Sequence, residues 1–368
     1  MEHKGSYRRF DASRVRTYPL KVRSNKVELG NAVDCAALCA APIRCSTQPW
    51  YRNGLPGGGP DQSAGLAELA EYIVRCRRAD KPVVVMTGAH PIKNGEISIV
   101  IDLIERGLVT LYATNLAGAI HSFELALTGA SSESVRDALP VGEFGMAFET
   151  GAYLNYAIQV GWENGCGLGE AMGRLYGDAD FRRQVIDRAF ARHPDTGQYL
   201  KPYEGFPYAG ACVLAAAYGK GIPVCVHASI GTDITDQHPS FDPAAKGAAS
   251  GADFLVFAEH LCGFTSGGVV LNIGTAIMGP EVLLKAVSMA ANVGCKPDGL
   301  WTGSFDVRPF VFDDQARDES QAYYYLRDQK SVATRIPKVF GGVGFYFQGL
   351  HRETLPPLYQ HIIRAAEA

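Results

Sequence analysis

The segment Ser266-Gly267-Gly268-Val269-Val270-Leu271-Asn272-Ile273-Gly274-Thr275-Ala276-Ile277-Met278-Gly279-Pro280-Glu281 constrains this chain more than any other. A glycine pair opens an apolar, β-branched run, small residues close it, and Pro-Glu starts an apolar helix. A buried strand that turns directly into a helix is the repeating unit of a parallel α/β sheet, whose ligands bind beyond the carboxyl ends of the strands. Small residues in such a turn leave backbone N–H groups open to an anion such as a phosphate. The pattern predicts a nucleotide or anion site without fixing its chemistry.

The same unit recurs. Apolar spacing predicts helices over 66–78 and 97–106, each followed by a β-branched strand, over 82–86 and 109–113. A small-residue helix over 208–218 precedes a strand over 223–227, and residues 253–257 read as a strand or a helix start. A strand over 269–273, a helix over 280–292, a strand over 300–302 and a helix over 356–366 complete the series. This alternation predicts an α/β fold with a doubly wound, largely parallel sheet. Residues 1–60, ending in the turn-rich Asn53-Gly54-Leu55-Pro56-Gly57-Gly58-Gly59-Pro60, read as an N-terminal arm around the body or a neighbouring subunit. Residues 61–368 read as one large α/β domain with a helical insertion around 117–219.

Bulk properties narrow the partners. A formal net charge of −3 gives no electrostatic pull toward nucleic acid or an anionic membrane. The basic residues Arg8, Arg9, Arg14, Arg16, Lys21, Arg23 and Lys26 are interleaved with apolar and acidic ones and read as solvated surface. Nine cysteines, an odd number without any CxxC, read as reduced thiols of a cytoplasmic protein. Cys35, Cys39 and Cys45 lack a nearby fourth zinc ligand. No apolar run approaches the roughly 18 residues of a membrane span. A small molecule is the expected partner, with neither nucleic acid nor membrane.

Five predicted strand ends share small residues and a few polar groups: Thr87-Gly88-Ala89-His90, Thr114-Asn115-Leu116-Ala117-Gly118, Gly231-Thr232-Asp233, Gly274-Thr275-Ala276 and Thr302-Gly303-Ser304-Phe305-Asp306. A parallel sheet brings them to one edge, as a dinucleotide requires. No GxxxxGK[ST], GxGxxG or GxSxG occurs, which argues against a P-loop nucleotidase, an ordinary dinucleotide fingerprint and a serine hydrolase elbow. His90, His121 and His227 stand at or near these turns and are the candidate proton carriers. Glu124, Glu143, Glu149 and Glu170 are candidate bases or anchors for an ammonium group. His90, His227, Asp233, Asp236 and His238 form an alternative grouping suited to a metal-assisted hydrolase or lyase, although their spacing matches no established metal motif. Satisfied buried histidines and solvated helix-surface carboxylates are the competing structural readings.

The order of these motifs resembles the deoxyhypusine synthase family, and more closely its bacterial relatives. Val84 to His90 is similar to that family's valine-rich strand ending in Thr-Ala-Gly-Gly. Ile222 to Asp233 is similar to its Ile-Pro-Val strand and Thr-Asp-Gly turn. Gly267 to Ala276 matches its Gly-Gly-Val stretch, and Thr302 to Asp306 its Thr-Ala-x-x-Phe-Asp-Gly segment. The resemblance runs from about residue 65 to 360. It implies an NAD-binding fold of the deoxyhypusine synthase and sirtuin kind, assembled as a homotetramer with sites between subunits. By position it implies cofactor contacts at Thr87, Gly88, Ala89, Thr114, Asn115, Asp233, Gly267, Gly268 and Asp306, joined by Gly274 and Thr275 in the small-residue turn. It places Lys338, in Arg335-Ile336-Pro337-Lys338, where the family carries an imine-forming lysine.

Departures accompany the matches. The family's histidine pair after Gly-Gly-Val is replaced by Asn272 and Ile273, and its acidic pair after the first turn by Ile92, Lys93 and Asn94. Its Trp-Gly before the lysine is Ile336-Pro337. These changes remove groups that place spermidine, so the implied scaffold carries a different reaction. The expectation is an NAD-dependent enzyme acting on a small amine or amino-acid-like metabolite by hydride transfer at a C–N centre. The alternatives are the metal-assisted hydrolase or lyase and a non-catalytic nucleotide-binding relative.

Overall fold

Runs of consecutive buried valines need apolar cover on both faces, and the chain supplies it. The computed structural model of the protein describes residues 5–193, 195–310 and 327–368. Its strands are β1 Val27–Glu28, β2 Trp50–Arg52, β3 Leu55–Pro56, β4 Val83–Thr87, β5 Leu111–Asn115, β6 Ala130–Ser131, β7 Val224–His227, β8 Gly268–Ile273, β9 Leu300–Asp306 and β10 Gly344–Gln348. Eight of them form one sheet in the order β3-β2-β10-β9-β8-β4-β5-β7, and β1 pairs with β6 separately. From β10 to β7 every pairing is parallel, while β2 and β3 add an antiparallel edge.

The centre of the sheet is β4 and β8, in which every residue is buried. Successive residues of β4 enter opposite cores. Val83 and Val85 pack with Leu66, Leu69 and Ile73, whereas Val84 and Met86 pack with Phe257, Leu283 and Val287. This period of two is the sign of a strand buried on both faces. In chain order the six parallel strands run 3-2-1-4-5-6 across the sheet. The chain therefore winds outward from β4 through β5 to β7, then returns to the centre through the helix Pro243–Cys262. It winds outward again from β8 through β9 to β10. The expected doubly wound α/β sheet is present, with its topological switch between β4 and β8.

The structure decides one open reading and overturns part of another. Residues 253–257 lie inside the helix Pro243–Cys262, whose first turn is capped by Asp242 through the N–H groups of Ala244 and Ala245. Residues 50–56, read as arm, form the β2–β3 hairpin. Asn53 and Gly54 at its tip have φ of +52° and +82°, the pairing that a two-residue hairpin turn requires. Upstream, the chain crosses the body: the Tyr18 N–H donates to Met146 O, Phe148 N–H to Tyr18 O, and Lys26 N–H to Ser132 O. No helix among the described residues is long and apolar enough to cross a membrane.

Candidate functional site

Parallel strands place every residue that follows a strand at one edge and every residue that precedes one at the other. Thr87, Gly88, Ala89, Thr114, Asn115, Gly274, Thr275 and Asp306 accordingly share the carboxyl edge. The turns after β4 and β8 touch. The Gly88 N–H donates to Ile273 O at 3.0 Å, and a Cβ on Gly88 would lie 2.4 Å from Gly274 O. Gly274 adopts φ +63° against the His351 ring. The next strand end is tied in through the Thr114 hydroxyl, which donates to Thr87 O at 3.0 Å. Asn115 then caps the helix Leu116–Thr128 by accepting from the Gly118 N–H at 2.9 Å.

On the β8 side, the Asn272 amide donates to Thr275 O and Ser304 Oγ at 3.2 and 3.4 Å. Its Oδ1 is buried and has no hydrogen-bond partner among the described residues. At the end of β9, Asp306 holds Arg308 through the guanidinium, at 2.5 and 2.9 Å. The switch point between β4 and β8, where folds of this strand order have their ligand crevice, is thus lined by backbone, small side chains and the Asn272 amide.

A cavity of about 240 Å³, largely apolar but with charged groups in its wall, lies where the segments following β5 and β7 meet the N-terminal chain. Its chemistry comes from Arg23, Lys93, His121, Glu124, Glu133 and Asp233. Glu124 is saturated: Arg23 Nη2 donates to it at 2.6 Å, Ser131 Oγ at 2.6 Å and Thr150 Oγ1 at 2.8 Å. Burial pushes its carboxyl up, but Arg23 and the hydroxyls outweigh burial and hold it below its ordinary value. Glu133 is pushed up by burial, against the pull of Arg23. Asp233 and Asp236 share the buried Lys246 ammonium at 2.8 and 2.5 Å. Burial drops the His121 imidazole to about 4, so it is neutral at pH 7.

Other candidates stand elsewhere. Gly267 precedes β8 and Gly268 opens it, both at its amino end, against Tyr72, Phe264 and the Pro82 backbone. Lys338 is exposed in the helix Ile336–Val339. That helix leads to Phe340, whose carbonyl accepts from Gly299 N–H just before β9, so Lys338 also belongs to the amino edge. Glu149 is fully buried and accepts from the Leu20 and Leu200 N–H groups at 2.7 and 2.8 Å, which makes it a tie between chain segments. His90 is exposed at the start of the helix His90–Lys93, directly after the β4 turn. His227 ends β7 edge-on to Phe257 with Nε2 unpartnered.

The alternative metal grouping is not assembled. Lys246 occupies the space between Asp233 and Asp236, and His238 bonds Ser240 Oγ at 2.8 Å beneath Gly151. Among the described residues no three His, Cys, Asp or Glu side chains are grouped to hold a metal ion. Sequence reasoning missed Arg23, Glu133, Lys246 and His351. The i,i+3 spacing of His121 and Glu124 was the available signal that both face one side of a helix.

Burial also sets an acid limit. His227 is pushed to about 4 and His238 to about 3, whereas an unfolded histidine titrates near 6.5. Each depressed histidine contributes stability that is complete above about pH 6.5 and is lost as pH falls toward its folded value. Thermal unfolding followed from pH 8 to pH 4 should show Tm falling below about pH 6.5. His227→Gln should make that fall shallower, and an identical profile in the variant would refute the assignment.

The fold is that of a doubly wound α/β protein with its topological switch between β4 and β8. No protein-family model matches the chain, and no curated protein matches it in sequence. Among solved structures it is similar to ArgZ, an arginine dihydrolase from the ornithine–ammonia cycle in cyanobacteria. Identity is 15% and the TM-score 0.42, over 83% of this chain and 31% of ArgZ. It is also similar to AgrE, solved with ornithine and NAD+, at 16% identity and TM-score 0.40 over 83% of this chain and 33% of AgrE. A protein of Methanococcus maripaludis S2 assigned to the LOR/SDH group gives 12% and 0.41, over 84% and 71%. The chain spans about a third of the length of ArgZ and AgrE. None of the three is described as a deoxyhypusine synthase, and likeness this distant transfers neither activity nor cofactor.

Proposed function

We propose that the protein is an NAD-dependent enzyme that moves a hydride at a C–N centre of a small amine or amino-acid-like metabolite. The observation that carries this reading is the 3-2-1-4-5-6 strand order, which brings the small-residue turns after β4 and β8 to the switch point where such folds have their ligand crevice. A dinucleotide lies across that crevice in folds of this order. The residues fit it: the turns at Ala89, Gly274 and Thr275 carry small side chains, and Asn115 stands at the end of the second strand. That last place commonly carries the side chain that binds a ribose hydroxyl. NAD held there supplies a hydride acceptor.

The cavity lined by His121 and Glu133 takes the substrate. Glu124 is consumed by Arg23, Ser131 and Thr150, and Asp233 by Lys246, so an incoming ammonium is met by Glu133 instead. Lys93, half-buried on the same wall, suits a carboxylate. Oxidation takes a proton from the ammonium nitrogen and then a hydride from the carbon bearing it, leaving a protonated imine. His121, neutral and in the cavity wall, receives the proton. The reading assigns Lys338 no covalent role, because an imine on that lysine would form at the opposite edge of the sheet.

Calorimetric titration tests the proposal. NAD should bind saturably to the purified chain, and Asp306→Ala, which frees Arg308, should change the affinity. Absence of binding at millimolar NAD overturns it. Native mass spectrometry of the same sample would test the homotetramer and would register any NAD retained through purification.

A further inference from the structure

Three polar groups link the cavity to a buried charge. His121 Nδ1 lies 2.6 Å from Ser131 Oγ, and Ser131 Oγ lies 2.6 Å from Glu124 Oε2. His121 and Glu124 share the helix Leu116–Thr128, whereas Ser131 comes from β6, which follows its glycine C-cap, Gly129 at φ +75°. Ser131 is fully buried, and Glu124 is 1% exposed. The direction of each hydrogen bond follows from what each group can donate. An ionised carboxylate only accepts, so the single Ser131 proton goes to Glu124. Ser131 Oγ can then only accept from the imidazole, which requires a proton on His121 Nδ1.

We infer that Ser131 is a positioning residue that fixes His121 as the Nδ1–H tautomer, leaving the Nε2 lone pair as the cavity's proton acceptor. His121 Nε2 has no hydrogen-bond partner among the described residues, and the ring lines the cavity. The role in proton transfer rests on the reaction proposed above; the tautomer does not. When Nε2 takes a proton from a substrate nitrogen, the N–H bond of the substrate breaks, its electron pair stays on nitrogen, and the ring becomes an imidazolium. Glu124, relayed through Ser131, then faces that new positive charge. Arg23 and Thr150 keep Glu124 ionised, so the proton stops at the imidazole.

The other charges around the ring oppose its protonation. Lys93 and His90 approach from the short helix after β4, and Arg23 from the N-terminal segment. Glu124, on the histidine's own helix, is the group that favours the charged ring. An acceptor that is neutral at rest and has one carboxylate wired to it is suited to take a proton transiently and give it back.

Long-range 1H–15N correlation spectra of the full chain carrying 15N-histidine, recorded between pH 6 and 8, test the inference. The His121 signals, assigned by their loss in His121→Gln, should show a protonated Nδ1 and a bare Nε2. In Ser131→Ala the single tautomer should give way to a mixture, and Ser131→Thr, which keeps the hydroxyl, should restore it. An Nε2–H tautomer in the native chain, or an unchanged spectrum in Ser131→Ala, overturns the inference. Should Ser131→Ala fail to fold, the native spectrum and Ser131→Thr still decide. Neither NAD nor substrate enters the measurement, so a chain that binds no NAD removes the proposed reaction and leaves the tautomer standing.

Discussion

Arg23→Ala should destabilise the protein by about 3–5 kcal/mol at pH 7, the usual cost of stripping one partner from a buried ion pair. The two side chains are 6% and 1% exposed and meet at 2.6 Å. Without the guanidinium, Glu124 keeps only the Ser131 and Thr150 hydroxyls, and burial, the largest influence on its carboxyl, goes unopposed by charge. The pH dependence has a definite sign. In the native chain Glu124 sits below its ordinary value, so its contribution is present above about pH 4.3 and is lost as pH falls through the lower folded value. In the variant the folded carboxyl rises above the unfolded one, so its contribution is present in acid and lost as pH rises. The gap between native and variant stability should therefore narrow toward pH 5. Urea unfolding at pH 7 and pH 5 reads both numbers. Adding Glu124→Gln to Arg23→Ala should recover part of the loss, because no charge is then stranded. A loss under about 1 kcal/mol with no pH dependence would show that the pair is solvated and that the cavity wall is not built on it.

That pair also marks the boundary of what the sequence discloses. Arg23 and Glu124 are 101 residues apart, and nothing local to Arg23 separates it from the solvated arginines around it. The central strands were legible because burial on both faces demands continuous β-branched runs, which β4 and β8 possess. Their order was not, since periodicity reports burial and says nothing of which strands are neighbours. β10 went unread because Phe345, Tyr346 and Phe347 stand in a short aromatic run behind Gly341 and Gly342, which looks like loop. The misplacement of Gly267 and Gly268 had a different origin. In a parallel sheet, residues ahead of a strand or opening it lie at the amino edge, so strand direction alone removes them from a carboxyl-edge site. Glu149 shows the opposite limit. Its position in a glycine-rich stretch suggested a reactive carboxylate, yet two backbone N–H groups from residues 20 and 200 claim it. Long-range backbone capture leaves no trace in local composition.

Gly88→Ala should weaken NAD binding at least tenfold, a change of about 1.4 kcal/mol. The substitution adds one carbon where the two halves of the sheet meet. That carbon would stand 2.4 Å from Gly274 O, a contact with backbone that no rotamer change relieves. The turn after β4 or the turn after β8 must move, and overpacking of this kind costs about 1–3 kcal/mol of stability. Movement also breaks the Gly88 N–H bond to Ile273 O that joins the two turns. Lowered stability by itself would not show that the crevice binds anything, so a second variant supplies the contrast. Gly107 is a left-handed glycine at φ +73° with nothing within 4 Å of an added Cβ, ahead of β5 and so at the amino edge of the sheet. Gly107→Ala strains the backbone through its positive φ instead of through a contact, and it should lower Tm while leaving NAD affinity as it was. Calorimetry on the three proteins at a temperature where all are folded separates the effects. Lost affinity in Gly88→Ala alone places the dinucleotide at the switch point. Equal affinity in all three would mean that any NAD the chain binds lies off the β4–β8 crevice, and the strand order would no longer support the proposed function.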